Sequence, residues 1–105
     1  MTTNKQKFNL MYKQDKNEPN SKEDISKLTK ISMKFLDEIY DRGLKAYENT
    51  TKDIKKKVNE NAYAFGRVYA FVVKRRQGAL DFDLDISSDI RKYQREKKDK
   101  KENYI

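Results

Sequence analysis

The feature that most constrains the fold is an apolar run at residues 62–73, which is interrupted only by Gly66 and Arg67. A basic cluster at 74–76 follows it directly, and residues 80–86 then alternate apolar and acidic side chains. A segment this apolar exceeds what an ordinary surface helix carries, so it must contact another part of the chain or a partner. At twelve positions it is too short to span a bilayer.

Apolar residues recur at helical spacing on both sides of a short polar connection at 49–51. We predict one helix over residues 22–48 and a second over 52–77, antiparallel to the first because the connection is short. A β-strand is the alternative for residues 63–73, which are rich in Tyr, Phe and Val. The helical period continues without a break from Ile54 into this stretch, so a helix is favoured.

Signals at the helix ends support these bounds. Ser21 and Asp24 have the spacing of a capping box, and Gly78 is a typical helix stop. Gly43 lies inside the apolar stripe of the first predicted helix, where glycine costs about 1 kcal/mol relative to alanine. We therefore expect Gly43 to let the second helix approach closely.

The remaining segments surround this helical hairpin. Residues 1–20 are polar and are predicted to form a flexible N-terminal arm. Residues 80–86 are expected to be extended with their apolar side chains facing inward, and a third helix follows at about 87–95. Residues 94–105 are mostly charged and form a C-terminal tail. The predicted fold is all-α, with a three-helix core over residues 21–93.

The residue types that most enzymes need are missing. The chain has no cysteine and no histidine, which removes thiolate nucleophiles, imidazole bases and the usual zinc ligands. Neither the glycine-rich phosphate-binding loops nor the serine nucleophile motif occurs. A three-helix domain of this size also offers little room for a catalytic cleft. We expect a non-enzymatic protein without a cofactor.

Four aspartates, Asp81, Asp83, Asp85 and Asp89, have a spacing close to that of a calcium-binding loop. The sixth position of such a loop would be Ile86 where glycine is needed, and the twelfth would be a lysine where glutamate is needed. A loose magnesium site with two carboxylates is the alternative. An acidic outer face that deters strand pairing is favoured, and we predict no metal site.

Basic residues are concentrated in two segments. Residues 51–77 contain eight Lys or Arg against two acids, and residues 91–105 contain seven against three. Such surfaces suit phosphate backbones, because Lys and Arg displace condensed counterions. The alternative is that they are solvated helix faces. The candidate nucleic-acid-binding residues are Lys55, Lys56, Lys57, Lys74, Arg75, Arg76, Arg91, Lys92 and Arg95.

The positions of these clusters indicate the mode of binding. Residues 55–57 and 74–76 lie at opposite ends of the second predicted helix, about 28 Å apart at the rise of an α-helix. A short recognition helix could not place both in one groove of DNA. Binding to the phosphate backbone with weak sequence specificity is therefore favoured.

The second predicted helix has an outer face as well as a core face. The predicted core face consists of Ile54, Val58, Ala62, Phe65, Tyr69 and Val72. On the outer face, Tyr63, Arg67 and Phe71 have i,i+4 spacing, so the guanidinium could stack on both rings. Exposed aromatics beside arginine are typical of binding hot spots, and these residues form a candidate partner interface that favours a homodimer. The alternative is that the third helix or the arm covers them and makes Phe71 a core residue.

Two functions are compatible with these features. The first is a small basic helical protein that binds nucleic acid or its machinery, as an accessory or regulatory protein of a phage or mobile element. The excess of lysine over arginine suggests an AT-rich coding genome, which concerns the origin of the chain and not its activity. The second is an inhibitor, adaptor or virion subunit whose basic surface meets an acidic protein surface. The N-terminal residues lack a secretory signal, so we expect a cytoplasmic location, in the host cytoplasm if the protein is phage-encoded, and no membrane partner.

Overall fold

The computed structural model describes the backbone of residues 2–102 and the side chains of residues 2–97. Within this range the chain forms helices and no strand, so the predicted all-α class is confirmed. The helices are α1 (Asn4–Met11), α2 (Lys22–Thr29), α3 (Met33–Glu48), α4 (Lys52–Lys57), α5 (Glu60–Gln77) and α6 (Leu84–Glu102).

Helix α1 lies in the segment that we predicted to be a flexible arm, and that prediction was wrong. Thr3 caps the helix: its hydroxyl accepts a hydrogen bond from the Gln6 backbone, and the Gln6 side chain accepts one from the Thr3 backbone. Phe8 is fully buried, with its ring centroid 5.3 Å from that of Tyr69 on α5. One well-placed aromatic ring is enough to dock an otherwise polar segment, because a buried Phe contributes a large apolar area.

The loop after α1 is held by amide side chains. Asn9 is fully buried, and its Nδ2 donates to the backbone carbonyls of Lys16 and Glu18 at 3.0 Å each. Asn20 Nδ2 donates to Asn9 Oδ1 at 2.8 Å and to the Tyr69 hydroxyl at 3.2 Å. These bonds satisfy a buried amide and fix the path of residues 12–20 over the start of α2.

The first predicted helix, 22–48, is two helices. Ser21 and Asp24 form the predicted capping box, but α2 ends at Thr29, and Lys30 has the left-handed conformation with φ 64°. The Ser26 hydroxyl donates to the Ile31 carbonyl at 2.6 Å, which favours this turn over a continued helix. The break buries Ile31.

The second predicted helix, 52–77, is also two helices. Val58 is extended, and the Tyr47 hydroxyl donates to its carbonyl at 2.7 Å. Asn59 then caps α5, because its side chain accepts from the Ala62 backbone at 2.8 Å. The far end of α5 is as predicted, with Gly78 in the left-handed conformation at φ 72°.

Helices α3 and α5 form the centre of the fold. A Cβ atom built on Gly43 would lie 2.7 Å from the Cα of Ala64, so the expected close approach at Gly43 is confirmed. Helices α1, α2 and α6 pack around this pair. The buried core consists of Phe8, Ile25, Ile31, Phe35, Leu36, Ile39, Val68, Tyr69, Phe71, Val72, Val73, Ile86 and Ile90.

The connection from α5 to α6 corrects the extended segment predicted at 80–86. Helix α6 begins at Leu84, because the Asp83 carbonyl accepts from the backbones of Ile86 and Ser87. Leu84 consequently points away from the core and is 57% exposed, whereas Ile86 is buried. The predicted third helix at 87–95 therefore starts earlier and continues to residue 102, through part of the predicted tail; residues 103–105 lie outside the described range.

Candidate nucleic-acid interface

Three helices bring an arginine cluster together near the end of α5. Arg75 and Arg76 lie in the last turn of α5, Arg91 lies on α6, and Tyr12 is the C-terminal cap of α1. We call Tyr12, Arg75, Arg76 and Arg91 the arginine face. Its members come from segments that are far apart in the chain, so it exists only in the folded protein.

Arg75 is the half-buried member of the arginine face. Its Nε donates to the hydroxyl of Ser87, a buried residue on α6, at 3.2 Å. Burial lowers the pKa of Arg75, and the positive charge of Arg91 lowers it further. The guanidinium is still charged at neutral pH. It is thus a partly desolvated cation whose hydrogen-bond partner is a neutral hydroxyl, and Arg91, one helical turn after Ser87 on α6, adds repulsion.

Arg76 lies over an aromatic ring. Its guanidinium carbon is 4.8 Å from the ring centroid of Tyr12, within the range of a cation–π contact. Tyr12 is held in turn by Phe8, with ring centroids 4.8 Å apart. The buried Phe8 therefore positions the ring on which Arg76 rests, and α1 contributes directly to the arginine face.

The arginine face has no internal counter-charge. Among residues 2–97, no carboxylate lies within 4 Å of Arg75, Arg76 or Arg91. Guanidinium groups bind phosphate and carboxylate oxygens with paired hydrogen bonds. Cations that are concentrated without neighbouring acids raise the local positive potential, which favours an anionic partner.

A second group of arginines has the opposite arrangement. Asp83 has a 4% exposed side chain and accepts from Arg67 Nε at 3.0 Å, Arg67 Nη2 at 2.9 Å and Arg42 Nη1 at 2.9 Å. Arg42 also holds both carboxylate oxygens of Asp85, at 2.9 and 2.6 Å. We call Arg42, Arg67, Asp83 and Asp85 the ion-pair junction. It joins α3 and α5 to the start of α6.

The hydrogen bonds of the ion-pair junction set its protonation. Burial by itself would raise the pKa of Asp83, but the bonds from Arg67 and Arg42 outweigh it and hold that pKa below its ordinary value. The Arg42 guanidinium lowers the pKa of Asp85 to about 2. Both carboxylates are therefore ionised at neutral pH and are already occupied by arginine. Among the described residues, no group of three or more potential ligands could hold a metal ion.

A scan against protein-family models matches residues 1–91 to a family of unknown function, DUF5824. The chain belongs to the DUF5824 family. A search of curated proteins and a search of solved structures each found no match. The range matched to DUF5824 contains every residue of the arginine face and of the ion-pair junction.

The other predicted nucleic-acid residues of this DUF5824 chain do not join the arginine face. Lys74 pairs with Asp81 at 3.5 Å and lies over Phe82 on the junction side. Residues 55–57 are exposed on α4, which precedes the opposite end of α5, a helix about 27 Å long. Lys92 and Arg95 are exposed on α6. The structure thus unites only Arg75, Arg76 and Arg91 of the nine predicted residues.

The residues of the predicted partner interface contact other residues of the same chain. Phe71 is fully buried, with its ring centroid 6.2 Å from that of Phe82 in the α5–α6 connection. Arg67 belongs to the ion-pair junction, and Tyr63 packs on Tyr47 at 5.4 Å between ring centroids. The prediction that these residues form an exposed interface was therefore wrong. The alternative holds in that Phe71 is a core residue, and Phe82 of the α5–α6 connection packs on it.

Sequence reasoning missed Tyr12, Ser87, Arg42 and the buried role of Asp83. A signal for the junction was present, because alternating acidic residues that follow a basic helix end favour ion pairs with the neighbouring elements. Tyr12 and Ser87 carried no comparable signal. Over the part of the chain that the structure describes, no helix is both long enough and apolar enough to cross a membrane.

Proposed function

We propose that this protein binds the phosphate backbone of nucleic acid through the arginine face. The observation that carries the proposal is the half-buried Arg75, which lies beside Arg91 and meets only a neutral hydroxyl. A cation kept partly out of water without a carboxylate is unfavourable in the free protein and gains from an anion. A phosphate oxygen supplies that anion in the geometry that guanidinium groups prefer.

The arrangement of charge supports binding with weak sequence specificity. Lys92 and Arg95 extend the positive surface along α6, and residues 55–57 provide a second basic area at the far end of α5. Basic areas at the two ends of α5, a helix about 27 Å long, suit a backbone that is followed along its length. The role we propose is that of a non-enzymatic accessory or regulatory protein, in keeping with the lysine-rich composition expected of phages and mobile elements.

The alternative partner is an acidic protein surface. For a protein partner, the acidic segment 81–85 would be a second contact surface beside the basic one. Asp83 and Asp85 are held by Arg42, and Asp83 also by Arg67, so this segment has little negative charge to offer. The covered Phe71 likewise removes the reason for favouring a homodimer through the outer face of α5. Nucleic acid is the partner that the remaining charge supports best.

A salt-dependent titration tests the proposal. A labelled DNA duplex and a labelled single strand are titrated with the full chain at several salt concentrations. The three arginines of the arginine face alone predict that log K falls with log salt with a slope of about −3, from about −0.9 per contact on duplex DNA, and each further contact by Lys92, Arg95 or residues 55–57 makes the slope steeper. Absence of binding to either nucleic acid at micromolar protein in low salt would overturn the proposal.

A further inference from the structure

A groove separates the first turn of α1 from the first half of α5. Its volume is about 600 Å³, within the range of small-molecule sites. Ala62 and Gly66 of α5 lie along it, with Phe65 and Tyr69 beside them and Asn4 of α1 opposite. An adjoining cavity of about 410 Å³ shares Asn4, Ala62 and Gly66. We call the two together the α1–α5 groove.

Packing at the other end of α1 explains why this groove is open. Phe8 and Tyr12 hold the C-terminal half of α1 against α5, at Tyr69 and Arg76. The first turn of α1 has no comparable apolar side chain, and α5 has no side chain at Gly66. A Cβ atom built on Gly66 would meet no atom within 4 Å, so the space above it is free in the folded chain.

The lining of the groove combines ring surface with amide groups. The Tyr40 hydroxyl donates to Asn61 Oδ1 at 2.6 Å, which leaves the amide nitrogen of Asn61 without a protein acceptor among the described residues. The side-chain amide of Asn4 likewise has no hydrogen bond within that part of the chain. Lys5 and Arg67 are the charged residues of the lining, and no carboxylate belongs to it.

From this lining we infer that the α1–α5 groove takes an unpaired nucleobase of a single-stranded nucleic acid. Tyr69 is itself buried, so Phe65, which is partly exposed, supplies the ring surface that suits base stacking. Side-chain amides suit the hydrogen-bonding edges of bases. The absence of acids on the lining and the presence of Lys5 suit the phosphates on either side of the base. A paired base is shielded within the duplex and would have to leave its stack to enter.

This inference rests on the proposed function and gives it a preference for single strands. Gly66 and Arg76 are ten residues apart on α5, which corresponds to about 15 Å. α1 lines the groove with Asn4 and meets Arg76 with Tyr12, so a strand whose phosphates bind the arginine face can place a base a few nucleotides further along in the groove. The groove supplies the single-strand preference and the arginine face supplies the charge.

The open space at Gly66 makes a direct test possible. Gly66→Leu begins its side chain in free space and removes a glycine from the interior of a helix, so its helicity and thermal midpoint should not fall. Ala79→Leu adds the same side chain at an exposed position beyond the far end of α5 and is the matched control. Wild type and both variants are titrated with a labelled single strand of mixed sequence and with its duplex, at one low salt concentration.

We expect Gly66→Leu to weaken single-strand binding by about tenfold, the scale of one lost stacked base, and to leave duplex binding unchanged. Ala79→Leu should bind both as wild type does. If Gly66→Leu and wild type bound the single strand with equal affinity, the proposal that the groove takes a base would be overturned, and phosphate binding by the arginine face would still stand. An equal loss on both nucleic acids would also overturn the groove proposal. If wild type binds neither, the proposed function fails, and the groove proposal fails with it.

Discussion

The ion-pair junction and the arginine face both hold arginines partly away from water, but they differ in what those arginines meet. At the junction, Asp83 accepts three hydrogen bonds from Arg42 and Arg67. On the arginine face, Arg75 donates to the neutral hydroxyl of Ser87 and lies beside Arg91. The arginines of the ion-pair junction stabilise the fold, whereas those of the arginine face remain available for a partner.

The physical basis of this difference is the cost of removing a charge from water. A partly buried guanidinium that faces a carboxylate recovers most of that cost inside the protein. One that faces a hydroxyl recovers less, and a nearby cation adds repulsion. Substitutions at the two sites should therefore have opposite consequences for folding and for binding.

The largest effect is expected from Phe71→Ala beneath the connection that carries the junction. Phe71 is fully buried against Phe82, so its truncation should lower the free energy of unfolding by about 3–5 kcal/mol. Leu84→Ala, at a 57% exposed position nearby, should cost under about 0.5 kcal/mol. Urea unfolding of both variants measures the difference, and a small loss for Phe71→Ala would show that the connection does not close over the core.

Asp83→Asn should have the next largest effect. It keeps the shape of the side chain and a residue type that tolerates the left-handed φ of 49°, but it removes the charge shared by two arginines. We expect a loss of about 2–3 kcal/mol, below the cost for a fully buried pair because both arginines are partly exposed.

Asp81→Asn is the matched control in the same connection. Asp81 has a 76% exposed side chain and pairs with Lys74 at 3.5 Å, so its loss should cost under about 0.5 kcal/mol. Thermal unfolding at neutral pH compares the two variants. Equal midpoints would contradict the structural role assigned to the junction.

Acid should weaken the junction before it affects the arginine face. The pKa values of Asp83 and Asp85 are lower in the folded chain than in the unfolded chain, so their contribution to stability is complete above the ordinary Asp value of 3.8. It is lost as the pH falls from there toward the folded pKa of about 2 for Asp85. Wild type should therefore lose more stability than Asp83→Asn between pH 4 and about 2 in urea titrations. If wild type and Asp83→Asn lost the same stability over this pH range, the ion-pair junction would be excluded as the cause of the acid sensitivity.

The smallest effect on folding is expected from Arg75→Gln. Removing a partly desolvated cation beside Arg91 should change the free energy of unfolding by less than about 0.5 kcal/mol, or raise it slightly. Arg67→Gln, at the junction end of the same helix, should be clearly destabilising because it leaves Asp83 with one arginine. Differential scanning calorimetry measures both. A large loss of unfolding free energy for Arg75→Gln would show that the arginine face stabilises the fold as the ion-pair junction does.

Sequence reasoning correctly predicted the helical class, the cap at Ser21, the stop at Gly78 and the close approach at Gly43. It placed no breaks in the long helices, because the breaks depend on bonds that the periodic pattern does not encode. The Tyr47 hydroxyl on the Val58 carbonyl and the Ser26 hydroxyl on the Ile31 carbonyl are two such bonds.

Tyr69 and Val72 of the predicted core face are buried, but the break at Val58 changed which other residues are buried. The predicted core face followed the period from Ile54, but α5 starts anew at Glu60, and Ala64, Val68 and Phe71 are buried where Ala62 is exposed. The nine basic candidate residues could be identified from the sequence. Which three of them assemble depends on α1 and α6 docking on α5, and the sequence does not report that docking.

The measurement that tests the central claim most directly is the salt dependence of nucleic-acid binding in charge-matched variants. The double change Arg75→Gln, Arg91→Gln removes two cations of the arginine face, and Lys27→Gln removes an exposed cation on α2 as the control. For duplex DNA, the double variant should reduce the slope of log K against log salt by about 2 and weaken binding while helicity is unchanged; Lys27→Gln should leave the slope as in wild type. A folded double variant with the wild-type slope and affinity would contradict the assignment of phosphate binding to the arginine face.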